Sequence, residues 1–154
     1  MTQRWAWAEV DLRTLRRNVE AIVANTTTHS VWAVVKADAY GHGAVECARV
    51  ALDSGAIGLC VALVDEGVAV RRAGIAAPIL VMSEQPPEQH RQLVSNGLIA
   101  TVYNSESIES LGKIAGEMNI VCAVHLKVDT GMHRVGVSPS DAVARAQEVL
   151  SNPW

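Results

Sequence analysis

Lys36 follows an apolar, largely β-branched run, Val31 to Val35, and precedes a glycine-containing stretch, Gly41-His42-Gly43. Such a run reads as a buried parallel strand. After it, Val45, Ala48 and Leu52 share one face of a short helix. The lysine therefore sits at the carboxyl end of a strand in a βα unit, where parallel α/β folds bind ligands. A lysine among apolar neighbours at such a place can lose its charge to desolvation and become a nucleophilic amine, able to capture an aldehyde as a Schiff base. A lone lysine just past a strand is more often plain surface, so the surrounding residues have to decide.

A second cluster lies in HLKVDTGMHRVG, from His125 to Gly136. Lys127 and Asp129 are two residues apart and share one face of an extended strand. Thr130 and Gly131 suit a tight turn, after which Arg134 can present its planar fork to a carboxylate or a phenolate oxygen. Taken alone, the same residues equally describe a strand end with a surface Lys–Asp pair and a solvated arginine.

The elements that position these groups alternate along the chain. Trp5 to Val10 reads as a short strand, and Asp11 as the N-cap of a helix with Leu12, Leu15, Val19 and Ile22 inward and Arg13, Arg16 and Arg17 solvated. A polar loop follows at Asn25 to Ser30. After the Lys36 unit come strands at Ile57–Ala62, Ile79–Met82, Leu98–Val102 and Ile120–Val128. The intervening helices carry Val64, Val68 and Val70; a Pro86–Pro87 start with an Asn96–Gly97 stop; and Ile108, Leu111, Ile114 and Ala115. The last helix is expected to start from Ser138 and Pro139, with Val143, Ala146 and Leu150 inward. Five strand–helix repeats at this spacing predict a parallel α/β sheet. No G-x-G-x-x-G follows the first strand and no Walker-type phosphate loop is present.

Composition narrows the function classes. The 154 residues are 49% hydrophobic, enough for a sizeable core, and the net charge of −3 gives no footprint for nucleic acid or an anionic membrane. Cys47, Cys60 and Cys122 are far apart, without a Cys-x-x-Cys spacing, which suits buried thiols in a reducing compartment and no metal site. No long apolar run is seen, so a cytoplasmic protein without a membrane span is expected.

KADAYGHG, residues 36–43, resembles the cofactor-attachment motif of bacterial alanine racemases, with Lys36, Ala37, Tyr40, Gly41, His42 and Gly43 in place. KVDTGMHRVG, residues 127–136, resembles the same family's K-x-D-T-G-M-x-R-x-G. The flanks AWAEVDLRTLRRNV and EGVAVRRAGIAAPILVM agree as well. The resemblance covers essentially the whole chain and implies pyridoxal 5′-phosphate as cofactor, attached at Lys36. It implies that Tyr40 binds the phosphate and that Arg134 contacts both the cofactor's phenolic oxygen and the substrate carboxylate. The lysine matching Lys127 is often carbamylated in that family, giving a carboxylate that holds the arginine; His133 lies at the variable position. An active-site arginine needs such an anion to fix its rotamer.

The implied fold is a (β/α)8 barrel of typically ~250 residues, of which residues 1–154 would be an incomplete N-terminal part. About five βα units are present, and barrel strands six to eight and the family's C-terminal β domain are absent. The implied function is interconversion of L-alanine and D-alanine, the supply of D-alanine for peptidoglycan, by a full-length homodimer. Racemisation needs an acid/base group on each face of the α-carbon. The resemblance makes Lys36 the catalytic base for D-alanine and puts the opposite one, a tyrosine, in the second domain. Tyr40 is assigned to phosphate, and Tyr103 has nothing to recommend it. Two other readings stay open: a non-catalytic pyridoxal-phosphate-binding barrel protein, and an inert fragment whose half-built core cannot close. Serine in place of alanine is a small energetic distinction.

Overall fold

The first helix forms where its cap lies. The Asp11 carboxylate accepts hydrogen bonds from the backbone N–H groups of Arg13 (2.9 Å) and Thr14 (3.2 Å), starting α1 at Leu12–Ala24. These bonds hold the Asp11 carboxyl below the usual carboxylate range, the Thr14 hydroxyl contributing most. The computed structural model describes residues 6–26 and 28–154. The strand expected over Trp5–Val10 is not formed in its described part, residues 6–10, where Trp7 is 83% exposed; Trp5 lies outside the described residues. In the loop after α1, Thr27 likewise lies outside them.

Beyond α1 the order is β1 (Trp32–Val34), α2 (Lys36–Gly41), α3 (Ala44–Asp53), β2 (Gly58–Val61), α4 (Val64–Arg72) and β3 (Ile79–Val81). Then come α5 (Pro87–Ser95), β4 (Ala100–Val102), α6 (Ser105–Met118), β5 (Val124–Leu126) and α7 (Ala142–Ser151). The five strands expected after α1 are all found, each shorter than its apolar run. Their pairing is parallel throughout: Val34 is beside Cys60, Cys60 beside Leu80, and Thr101 beside His125. A parallel bridge from Leu80 to Ile99 joins the two ladders, with Val81 N–H donating to the Ile99 carbonyl at 2.9 Å. The strands thus run side by side in sequence order, and among the described residues β1 and β5 are the edges.

Alternation along the strands separates two layers. Val35, Leu59, Val61, Ile79, Val81, Ala100 and Val102 turn outward into one core with Ala48, Val64, Val68, Leu93, Ile108 and Leu111 from the helices. Trp32, Gly58, Cys60, Thr101, His125 and Lys127 take the alternate, concave face. Arg71, on α4, fastens the amino-terminal side of the sheet. Its guanidinium donates to the carbonyls of Ala77 (2.6 Å), Ile75 (2.8 Å), Gly97 (3.0 Å) and Asn96 (3.1 Å). Burial there pulls its pKa down.

Two helix faces differ from the expected ones. α1 docks through Leu15, Val19 and Val23 onto Ala51 and Ala56, leaving Ile22 55% exposed. Residues 138–141 form a turn closed by the Asp141 N–H on the Ser138 carbonyl, so α7 begins at Ala142 with Asp141 as its cap. Its Val143 and Leu150 are exposed (69% and 83%), while Val149 reaches the core. The rotation follows from Arg145, which pairs with Glu148 and donates to Ser105 on α6, turning that side of α7 inward.

Candidate active site

Lys36 leaves β1 at its carboxyl end, half-buried, and the backbone that follows has the opposite hand to an ordinary helix. Ala37, Asp38, Ala39 and Tyr40 adopt φ of 50–56° and ψ of 37–47°, one left-handed turn built without glycine. Each such residue costs about 1–2 kcal/mol, so the surroundings must impose it. They do so from several sides. The Ala39 N–H donates to the Val35 carbonyl at 3.0 Å, and the Gly43 N–H to the Asp38 carbonyl at 2.9 Å. The Asp38 carboxylate accepts the Ala44 N–H at 2.7 Å, starting α3. His42 Nδ1 lies 2.8 Å from the Ala39 carbonyl, which makes it the protonated ring nitrogen. Glu66 closes the other end, accepting the Ala37 N–H at 2.6 Å.

The turn brings two of the site residues expected from sequence together. Residues four apart stand about one turn apart on a helix of either hand, and Lys36 Nζ lies 5.9 Å from the centre of the Tyr40 ring. Tyr40 is 61% exposed, which leaves it open to a ligand. Beside it runs a cleft of about 520 Å³, bounded by Asp11, Asn18, Val34, Tyr40, His42 and Cys47 among others.

The other two lie on β5 and beyond. Lys127 directly follows β5, its N–H donating to the Val102 carbonyl at 2.9 Å. It does not pair with Asp129. That carboxylate accepts the N–H groups of Gly131 (2.9 Å) and His133 (3.0 Å), which hold it below its ordinary range. Its second oxygen lies 3.2 Å from His133 Nδ1. The loop so tied carries Arg134, exposed, before the chain returns along β5 through a bridge between Val128 and Val137. Among the described residues neither Lys127 nor Arg134 takes part in an ion pair. Lys36 thus follows the carboxyl end of the first strand, and Arg134 lies in the loop after the fifth.

Two carboxylates that sequence reading passed over shape this rim. Glu66 holds the N–H groups of Ala62 (2.8 Å) and Leu63 (3.1 Å) as well as Ala37. Glu84 accepts those of Tyr103 (2.5 Å) and Asn104 (2.7 Å), and the Asn104 side-chain amide. A glutamate three residues after Leu63 was the legible trace of the first, as a helix-start signal. Burial and then the Glu84 charge push the Tyr103 phenol up in pKa. The Cys122 thiol is pushed by burial to about 11, and Cys47 and Cys60 are also raised, chiefly by burial. Among the described residues no cluster of three or more His, Cys, Asp or Glu could hold a metal, and no helix is long and apolar enough to cross a membrane.

Five parallel strands in sequence order, helices on one side and chemically capable side chains at the carboxyl ends, define an arc of a βα barrel. Comparison with known proteins sharpens this. The family model described as alanine racemase, N-terminal domain, matches residues 10–153, and the chain belongs to that family. It is 42% identical over 151 residues to the alanine racemase of Halothermothrix orenii, spanning 96% of this chain and 39% of that protein. The crystal structure of alanine racemase from Bacillus anthracis with bound L-Ala-P aligns over 99% of this chain and 39% of its own, at 34% identity and a TM-score of 0.85. A histidine racemase from Leuconostoc mesenteroides aligns over 92% of this chain and 38% of its own, at 29% identity and a TM-score of 0.84. The chain therefore spans about two fifths of the length of these relatives.

Proposed function

We propose that this chain carries the cofactor-attachment half of an alanine racemase active site, and that the whole protein interconverts L-alanine and D-alanine with pyridoxal 5′-phosphate. The observation that supports it most is the left-handed turn after Lys36, which presents a half-buried amine and an exposed phenol on one side of a strand end.

The donor chemistry fits the cofactor. Lys36 offers a primary amine for its aldehyde, Tyr40 a hydroxyl for its phosphate, and Arg134 a guanidinium for its phenolic oxygen and for the substrate carboxylate. When bound, the cofactor supplies the electron sink that acidifies the α-proton of an amino acid. Lys36 Nζ is then the group that takes or returns that proton on the D-alanine face. Lys127, if it carries a carbamate, gives Arg134 the anion that fixes its rotamer. The opposite face needs a second acid/base group. Burial and the Glu84 charge raise the Tyr103 phenol, making it a weaker acid; the family's tyrosine, contributed across a homodimer, completes the pair in the full-length protein.

Alanine as substrate rests on the family. The histidine racemase shares the fold, so the fold by itself does not choose the substrate side chain.

The test is to mix the chain with pyridoxal 5′-phosphate, reduce with borohydride and map the label. The chain has three lysines, Lys36, Lys113 and Lys127. Label concentrated on half-buried Lys36, against exposed Lys113 and Lys127, and lost in Lys36→Ala, is the expected result. Label spread by exposure alone would sink the reading.

A further inference from the structure

Glu66 belongs to α4, 30 residues along the chain from Lys36, yet its carboxylate is shared between the peptide that follows Lys36 and the end of the neighbouring strand. Oε1 accepts the Ala37 N–H at 2.6 Å, and Oε2 accepts those of Ala62 and Leu63 at 2.8 and 3.1 Å. Both oxygens are occupied by backbone donors, a charge-assisted arrangement of rigid geometry. The close seat of α4 makes this reach possible. Gly67, the next residue, is buried, and a Cβ there would lie 2.9 Å from a Leu98 methyl, so a larger residue would have to displace that side chain. Glu66 is half-buried and forms no ion pair among the described residues. Its negative charge is thus committed to three amides.

Ala37 is the first residue of the left-handed turn, and its amide is the one that fixes how the chain departs from Lys36. With that amide released, the turn keeps only local bonds, such as the Ala39 N–H on the Val35 carbonyl, to hold Ala37 at its φ of 50°, a conformation alanine leaves readily. The Lys36 amine and Tyr40 ring would then lose their common side.

We propose that Glu66 is a positioning residue for Lys36: by holding the Ala37 amide to the end of β2, it fixes the hand of the turn that aims the Lys36 amine and the Tyr40 phenol at one ligand. This rests on the reading of Lys36 as the attachment lysine.

Glu84 provides the control, because it clasps the amides of Tyr103 and Asn104 in the same manner, away from Lys36. The experiment compares Glu66→Ala, Glu66→Gln and Glu84→Ala with the unaltered chain. The probe is pyridoxal 5′-phosphate followed by borohydride, and the readouts are the ratio of label on Lys36 to label on Lys113 and the circular dichroism of the bound chromophore before reduction. Glu66→Ala is expected to cut the ratio about tenfold, the scale of one charge-assisted hydrogen bond, and to abolish the chromophore signal. Glu66→Gln, which keeps one acceptor oxygen, is expected to recover part of both. Glu84→Ala is expected to lower the melting temperature while keeping the ratio. If Glu66→Ala does not fold, the same criterion applies to Glu66→Gln. An unchanged ratio in the folded Glu66 variant, or an equal fall in Glu84→Ala, overturns the positioning role and leaves the attachment reading intact. Absence of Lys36 preference in the unaltered chain overturns both.

Discussion

The Trp32 indole on β1 meets the His125 imidazole on β5 edge-on, with ring centroids 6.1 Å apart and planes inclined at 61°. Three strands separate them in the sheet, so their contact measures how far the sheet has curled. Twist alone rotates neighbouring strands by some 20–25°; only a sheet rolled into an arc lets its outer strands touch on one face. The same arc brings the Lys36 end of β1 and the Lys127 end of β5 onto one concave rim.

Gly58 makes that contact possible. A Cβ built on it would fall 2.5–2.8 Å from the Trp32 ring, too close for any packed arrangement. Gly58→Ala is therefore expected to displace the indole from the His125 side and destabilise the chain by about 1–3 kcal/mol, read as a fall in the urea midpoint. A Trp32→Leu background should remove most of that penalty, because the two residues share one space. Additive effects in the double variant would refute the account.

Ala37 offers a test of the left-handed turn that involves no ligand. Replacing alanine by glycine in an exposed right-handed helix costs about 1 kcal/mol, as expected for Ala21→Gly in α1. At Ala37, with φ at 50°, the strain relieved offsets the entropy lost. Ala37→Gly should leave the unfolding midpoint nearly unchanged, and Ala37→Val should lower it. A full helical penalty at Ala37 would mean that the turn is right-handed.

Asp129 sets the acid behaviour of the Arg134 loop. The Gly131 and His133 amides favour its charged form and lower its pKa in the folded chain. The stabilisation is complete above the unfolded carboxyl value near ~4 and disappears as pH falls through the lower folded value. Within the carboxylate range, the Gly131 and His133 amide proton shifts should move only below ~4, the ordinary carboxyl value. In Asp129→Asn, which keeps an acceptor oxygen but no charge, they should not titrate there. A step lost in Asp129→Asn but centred at or above ~4 in the unaltered chain would refute the assignment.

Much was determined by the sequence alone, because it is written within a few residues. The Asp11 cap, the Pro87 start of α5 and the inward Val64, Val68 and Val70 follow from local hydrogen bonding and helical period, and the structure has them all. The alternation of strands and helices, and the two stretches around Lys36 and Arg134, were equally legible. What only the tertiary structure decided depends on partners far along the chain. The hand of the turn at Ala37 rests on Glu66, 29 residues away. The inward face of α7 rests on the Arg145 contact with Ser105, 40 residues away, which outweighs the apolar spacing of Val143 and Leu150. Periodicity shows which residues are able to be buried. Which of them are buried, and which backbone conformation is affordable after Lys36, is settled by the groups that the closed fold brings alongside.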